Sequence, residues 1–292
     1  MELDQFITFT GFTQKDADII TQTSLSRQKY ERLRAKFEAD TEAFLTKIRQ
    51  QPNFRLDFLS FAVRYAIELY PLFKQKDISD TVYYDTFSDI AIWAENCRQS
   101  FGTAGVDNID WISHSLKMSI FRLGRLQFEP TALSKSCQFT TGVLPAGTLV
   151  LNVHIPQGSP LTPNECKAAY QQAESFFRGI SPAFFCHSWL LYPALAELLP
   201  ANSNIRSFQS LYEILEIDET DHQAEERLFG VVSDNPALYP RVTTLQAKAR
   251  KRLLSGRPLG SALGVYFPKL DTTFCPDLAK KKTAQSSNLS SL

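Results

Sequence analysis

Between Gly147 and Gly179 the sequence admits little besides a β-strand, a tight loop and an α-helix. Gly147-Thr-Leu-Val-Leu-Asn-Val-His-Ile155 is rich in β-branched and aliphatic residues. At the strand period of two, Leu149, Leu151, Val153 and Ile155 share one face, while Val150, Asn152 and His154 make the other face mixed. Pro156 has no N–H for the next ladder bond, and Gln157-Gly-Ser-Pro160 extends neither element. Thr162-Pro-Asn-Glu165 then spells a helix start, with Thr162 as N-cap, Pro163 at the first helical position and Glu165 three residues beyond the cap. Cys166, Ala169, Tyr170, Ala173, Phe176 and Phe177 follow at spacings of three and four as one buried stripe, and Gly179 suits the C′ position. A helix that starts at the carboxyl end of a strand is a common place to bind an anion or an acyl carrier.

Upstream of residue 117 the patterning is helical. Thr13 caps a short helix through Ile19 and Ile20, and Ser26 opens a long one in which Tyr30, Leu33, Phe37, Phe44 and Ile48 form the stripe. Phe54 begins another, expected to end at Pro71; Ser79 or Asp80 caps a fourth, and Asp107 a fifth that runs through Trp111, Ser115 and Met118. The texture changes near Ile120. Phe121 to Phe128 is expected as one strand whose glycine marks a bulge or close backbone approach, and Cys137 to Thr141 as a short strand. Ala183 to Leu191 reads as a strand followed by a helix, Asn204 to Ile217 as a helix, Arg227 to Val232 as a strand, Thr243 to Leu254 as a basic helix, and Leu259 to Phe267 as a last strand. The residues from Asp271 on read as a disordered tail.

At 292 residues the chain has the length of two ordinary domains, and 31 basic residues balance 31 acidic ones. That balance gives no general attraction to nucleic acid or to a membrane surface. Five widely spaced cysteines without a Cys-x-x-Cys pair suggest reduced thiols, and the N-terminus lacks a basic, then apolar, leader. Together with the absence of an apolar run long enough to span a bilayer, this predicts a cytoplasmic protein. The four histidines are scattered without ligand spacing, so no metal is expected.

His154 on the central strand is a candidate proton acceptor, against the alternative of a half-buried, hydrogen-bonded histidine. Cys186 and Ser188 share a face of the next strand and are candidates for proton transfer or substrate contact; a buried structural cysteine is the competing reading. His187 points the other way. Tyr212, at helical spacing beside Phe208, reads as core. Arg125, set between apolar neighbours, requires a partner or an anion, and Gln127 follows on the same strand. Lys248, Arg250, Lys251, Arg252 and Arg257 form a basic patch that suits either a nucleotide phosphate or a solvated helix face.

Three blocks carry a resemblance: Phe121-Arg-Leu-Gly-Arg-Leu-Gln-Phe-Glu129, Leu151-Asn-Val-His-Ile-Pro-Gln-Gly-Ser-Pro-Leu-Thr-Pro163, and Cys186-His-Ser-Trp-Leu-Leu191 with Asn202-Ser-Asn-Ile205. In these the chain resembles a bacterial family of two-domain acyltransferase-like proteins, with a helical N-acyltransferase N-terminal domain and a GNAT-like (Gcn5-related N-acetyltransferase) C-terminal domain. The resemblance implies an α+β protein: an all-α domain over 1–117, a GNAT-like α/β domain with a mixed, splayed central sheet over 118–270, and a tail over 271–292. It implies acyl transfer from an acyl-CoA co-substrate to an amine on a small molecule or peptide. Catalysis would fall to His154, Cys186, Ser188 and Tyr212; donor binding to Val153, Ile155, Gln157, Gly158, Ser159, Leu161 and Thr162; and acceptor binding to Arg125, Gln127, Trp189 and Asn204. The sequence departs from the family's Gln/Arg-x-x-Gly-x-Gly/Ala pyrophosphate loop: Gln157 to Thr162 holds one glycine, Pro160 and Pro163 remove two N–H donors, and Glu165 brings negative charge. A non-catalytic GNAT-shaped ligand-binding or regulatory protein is the alternative that this departure keeps open. Oligomeric state is not legible.

Overall fold

The computed structural model describes residues 1–140, 142–180 and 183–268. The expected tail lies outside the described residues. Two compact units meet in sequence at Gln127 and Phe128. The protein is α+β: helices α1 (Leu3–Thr10) to α7 (Ile109–Leu116) precede a mixed sheet with its own helices.

In the first unit the expected long helix after Ser26 is two helices, α3 (Arg27–Ala39) and α4 (Thr41–Arg49). Asp40 is extended and its carboxylate accepts the Ala43 N–H, so a side-chain cap interrupts a hydrophobic stripe that both helices share. Phe37 and Phe44 still meet, with ring centroids 5.5 Å apart, and both touch Phe61 of α5 (Phe54–Gln75). Helix α5 continues past Pro71 instead of ending there. The turn beyond the proline carries Phe73, buried against Tyr83 and Phe87 of α6 (Asp80–Phe101), and this packing outweighs the one helical hydrogen bond that proline removes. Helix α7 has Asn108, not Asp107, at its N-cap position, with no side-chain capping hydrogen bond, and stops before Met118, whose φ is 54°.

The expected strand from Phe121 to Phe128 is two, β1 (Phe121–Leu123) and β2 (Leu126–Ala132). Gly124 adopts φ 65° in the tight turn between them, so the glycine marks a reversal, not a bulge. The large sheet has strand order β1-β2-β5-β6-β8-β7, with β5 (Leu149–His154), β6 (Phe184–Ser188), β7 (Glu213–Asp218) and β8 (Ser261–Tyr266). Strands β3 (Cys137–Phe139) and β4 (Gly142–Leu144) form a separate hairpin.

Both faces of the sheet are covered in the second unit. Phe128, Phe184 and Tyr266 surround Tyr170 of α8 (Pro163–Phe176), at centroid distances of 5.9, 4.8 and 4.8 Å. Val150, Phe185 and Val265 pack on Phe139 and Leu144 of the hairpin. Burial of Val150 with exposure of Leu149 departs from the one-sided apolar face read for β5.

Three further expectations change. Strand β6 ends at Ser188, whose hydroxyl accepts the Leu190 N–H and starts a short 3-10 turn, and a second 3-10 turn over Pro193–Glu197 replaces the following helix. Helix α9 (Asn204–Gln209) is short, and Glu213–Asp218, read as its continuation, forms β7 on the antiparallel edge of β8 with a bulge between Ile214 and Glu216. Arg227 to Val232 is not a strand: α10 (Gln223–Phe229) occupies much of it and ends at Gly230 in the left-handed region. Helix α11 (Thr244–Leu254) forms as expected, with a full capping box between Thr243 and Gln246.

Candidate active site

Strands β5 and β6 run parallel, with Leu151 opposite Phe184 and Asn152 opposite Phe185. The ladder joins the amino-terminal parts of the two strands. Among the described residues no pairing continues to the carboxyl ends, Val153–His154 and Cys186–Ser188, so the strands part there. Beyond β5 the chain turns through an exposed segment, Gln157 to Pro160, into α8. Gly158 has φ 124°, a conformation that strains any other residue, and a Cβ built on it meets nothing within 4 Å. Leu161 is buried below this loop. Thr162 caps α8: its hydroxyl accepts the Glu165 N–H at 3.4 Å and donates to the Glu165 carboxylate. The mouth of the parted strands is therefore lined by an open, glycine-turned loop and a helix start, with one carboxylate held back by the cap.

Register decides which candidates share a face, because paired residues of a parallel ladder point the same way and side chains alternate. Val153, Cys186 and Ser188 lie on the α8 face with Leu151 and Phe184; His154 lies on the opposite face with Asn152 and Phe185. The four catalytic candidates are thus not one cluster. His154 is about three-quarters buried, and its Nε2 is 3.2 Å from Oε2 of Glu129 on β2 and 3.1 Å from Nδ2 of Asn152. Glu129 and Asn152 were not candidates from the sequence. The signal for Asn152 was its place two residues before His154, on the same face; the signal for Glu129 was a lone acid closing an apolar strand.

Cys186 is interior, and burial pushes its thiol up to about 12, with a smaller opposing pull from the Tyr212 hydroxyl. The Tyr212 hydroxyl lies 2.6 Å from that of Tyr170, and burial raises both phenols well above 10.0. Tyr212 precedes β7 and is not part of a helix with Asn204, so the helical spacing that suggested a general acid does not exist. Ser188 spends its oxygen on the Leu190 N–H.

Among the acceptor candidates, Arg125 is buried in the β1–β2 turn and Gln127 is buried with its Nε2 2.8 Å from Asp89 Oδ2, which also accepts from the Trp111 indole at 2.7 Å. Trp189 packs on the cluster of Ala224, Phe229, Tyr239 and Ala249, and its backbone N–H donates to Gln223 Oε1 at 2.9 Å. Asn204 is the first residue of α9, after its cap Ser203. Much of the basic patch is structural: Lys248 binds the Leu198 carbonyl, Arg250 the Pro236 carbonyl, and Arg252 the Pro258 carbonyl and Glu197. Among the described residues no group of three His, Cys, Asp or Glu is placed to hold a metal, and no helix is long and apolar enough to cross a membrane.

The family described as the GNAT-like C-terminal domain matches residues 120–266, and the N-acyltransferase N-terminal domain matches residues 1–118. The chain belongs to this two-domain GNAT-like acyltransferase family. Solved structures share the fold of this GNAT-like chain. An acyltransferase in complex with CoA and 10C-teicoplanin is similar at a TM-score of 0.73 and 18% identity, over 92% of this chain and 88% of that one. An acyltransferase in complex with decanoyl-CoA gives 0.72 and 20%, over 90% and 86%. A complex with decanoyl-CoA and teicoplanin gives 0.71 and 18%, over 91% and 87%. No curated protein matches the chain.

Proposed function

We propose that this GNAT-like chain transfers an acyl group from an acyl-CoA thioester to an amine. The observation that carries this reading is the β5–β6 pair, whose parallel ladder stops short of both carboxyl ends beside the Gly158 loop and the start of α8. A parted pair exposes backbone between the strands, where Val153 and Ile155 present main-chain groups to a thioester. The loop from Gln157 to Thr162, with Gly158, Ser159 and Leu161, and the α8 start supply N–H donors and a positive dipole end to the pyrophosphate. Pro160, Pro163 and Glu165 weaken that binding without removing the remaining donors.

The amine attacks the carbonyl carbon, the C–S bond breaks, and CoA leaves as the thiolate. His154 takes the proton that the nitrogen must lose. Positioning and the strand amide aimed at the carbonyl oxygen supply most of the acceleration. Cys186, Tyr170 and Tyr212, on the other face, serve as packing. The decanoyl-CoA and teicoplanin bound by the similar solved structures support an acyl-CoA donor and an amine on a small molecule or peptide as acceptor. Incubation of the protein with acyl-CoAs of increasing chain length and a broad amine panel, read by mass spectrometry, is expected to give N-acylated product and free CoA. His154→Ala is expected to abolish turnover and retain acyl-CoA binding. Acyl-CoA binding without product from any amine would favour the binding-protein alternative.

A further inference from the structure

The neutrality of the whole chain conceals a local excess of charge. From Arg227 to Arg257 the sequence carries seven basic residues against one acid, Asp234. The same stretch holds Val231, Val232, Leu238, Val242 and Leu254, five of the eleven large apolar side chains that are exposed among the described residues, with Leu238 74% and Val242 87% exposed. These groups are held outward on ordered backbone. The Val242 N–H donates to Gln246 Oε1 at 2.9 Å, at the start of α11, and the Ser233 N–H donates at 2.7 Å to the hydroxyl of Tyr239, whose ring stacks on Phe229. Leu238 ends a 3-10 turn, Pro236–Leu238, and the Pro236 carbonyl accepts from Arg250 of α11 at 3.2 Å. Ala249 and Leu253 turn α11 inward on the Phe229–Tyr239 cluster, so Ala247, Lys251 and Leu254, at spacings of four and three, form its outer stripe. Arg250 lies four residues before Leu254 and borders that stripe, so the turn it binds lies alongside. One outer surface therefore carries Leu238, Val242 and Leu254 together with Arg241, Lys248 and Lys251. The backbone carbonyls that Lys248 and Arg250 bind leave their charges uncancelled.

We propose that this outer surface of α11 and the loop from Val231 to Val242 docks on an anionic lipid bilayer, with the aliphatic side chains entering between the head groups and the lysine and arginine charges meeting lipid phosphates. The chemistry favours lipid over other anionic partners. A single-stranded nucleic acid is held by exposed rings on which bases stack, and the one ring between Val231 and Arg257, Tyr239, is buried. A protein interface concentrates aromatic side chains and is depleted of lysine, the reverse of this composition. Leucine and valine flanked by lysine and arginine suit a surface that lies in the head-group region, where both the apolar area and each positive charge add affinity. No membrane-spanning helix is needed for such docking. The inner side of the same layer packs on Trp189, the residue after β6, so docking sets the carboxyl end of β6 one helix layer from the lipid.

Co-sedimentation of the full chain with vesicles of phosphatidylcholine alone, and of phosphatidylcholine mixed with phosphatidylglycerol, tests this without any substrate, so its outcome is independent of acyl transfer. Binding to the anionic vesicles that weakens as salt rises is the expected result. Arg241→Gln with Lys251→Gln is expected to weaken it by roughly 30-fold, about 5-fold for each charge, and Leu238→Ser with Val242→Ser by about 10-fold or more. All four positions are exposed, and far-UV circular dichroism checks that both variants keep the wild-type fold. No binding to anionic vesicles at low salt, equal binding to the neutral ones, or undiminished binding by both folded variants would each overturn the proposal. Fluorescence anisotropy with a labelled oligonucleotide and with polyglutamate covers the other occupants: binding of either that is lost in Arg241→Gln with Lys251→Gln, and no binding to vesicles, would assign the surface to that partner and overturn the lipid reading.

Discussion

The hydroxyls of Tyr170 and Tyr212 are each other's buried partner, 2.6 Å apart, and Tyr212 also sits beside the Cys186 thiol. Removing one hydroxyl leaves the other in an apolar surrounding without its bond, at a cost of about 1–3 kcal/mol; removing both removes the demand as well and approaches neutral. The two singles are not equivalent. In Tyr170→Phe the Tyr212 hydroxyl still has the Cys186 sulfur to turn to, so the cost falls near 1 kcal/mol, the low end of that range. In Tyr212→Phe the Tyr170 hydroxyl is left among Phe128, Phe184 and Tyr266, and the cost is about 2–3 kcal/mol. The double mutant should be no less stable than Tyr212→Phe, giving a coupling of roughly 1 kcal/mol or more. Urea unfolding followed by far-UV circular dichroism resolves this, since 2 kcal/mol moves the midpoint by about 1 M at an m-value near 2 kcal/mol/M. A double mutant that costs the sum of the two singles would refute the shared-bond account. The same proteins test the packing role: the double mutant should keep its turnover, and loss of kcat in every Tyr212→Phe background would return that hydroxyl to the chemistry.

An alanine at position 158 can hold φ 124° only at a strain of roughly 1–2 kcal/mol, so in Gly158→Ala the exposed loop relaxes out of that conformation and binding must restore it: about 5- to 30-fold weaker acyl-CoA binding by calorimetry, with Tm unchanged. Unchanged affinity would separate the loop from the donor site. Thr162→Ala should cost about 1 kcal/mol of stability through loss of the α8 cap, checked by urea unfolding; no change would show that the cap carries no energy. The Cys186 thiol, pushed to about 12 by burial, should alkylate roughly a thousandfold more slowly at pH 8 than a thiol of ordinary pKa near 8.5, measured by mass spectrometry of labelled peptides. Because the folded state keeps this proton while the unfolded chain releases it above about pH 8.5, stability should be whole below that pH. It should fall as pH rises through 12, by up to about 1.4 kcal/mol per unit. Flat stability from pH 9 to 11 would contradict the burial assigned to the thiol.

The strand, loop and helix from Leu149 to Phe176 were legible because each boundary is set by local chemistry: Pro156 stops the strand, and Thr162, Pro163 and Glu165 start the helix. Where boundaries depend on tertiary partners, local pattern misleads. Leu211, Tyr212 and Leu215 fit a helical period, yet the open edge of β8 takes the segment into a ladder. Phe44 and Ile48 continue the stripe of Tyr30 and Phe37, and only the Asp40 cap tells two helices from one. The site was half legible for the same reason. His154 could be found as a polar residue on a central strand, but its separation from Cys186 by the thickness of the sheet follows from the Leu151–Phe184 register. Glu129 lies 25 residues from His154 in sequence and meets it only because β2 and β5 are neighbours.

The central claim is that the parted ends of β5 and β6, with the Gly158 loop and the start of α8, hold an acyl-CoA. Calorimetric titration of the wild-type protein with decanoyl-CoA and with CoA tests it most directly. One molecule bound per chain, weakened by Gly158→Ala and retained in His154→Ala, is the predicted result. No binding of either ligand to the folded protein would contradict it and leave a GNAT-like domain that keeps the shape without the donor.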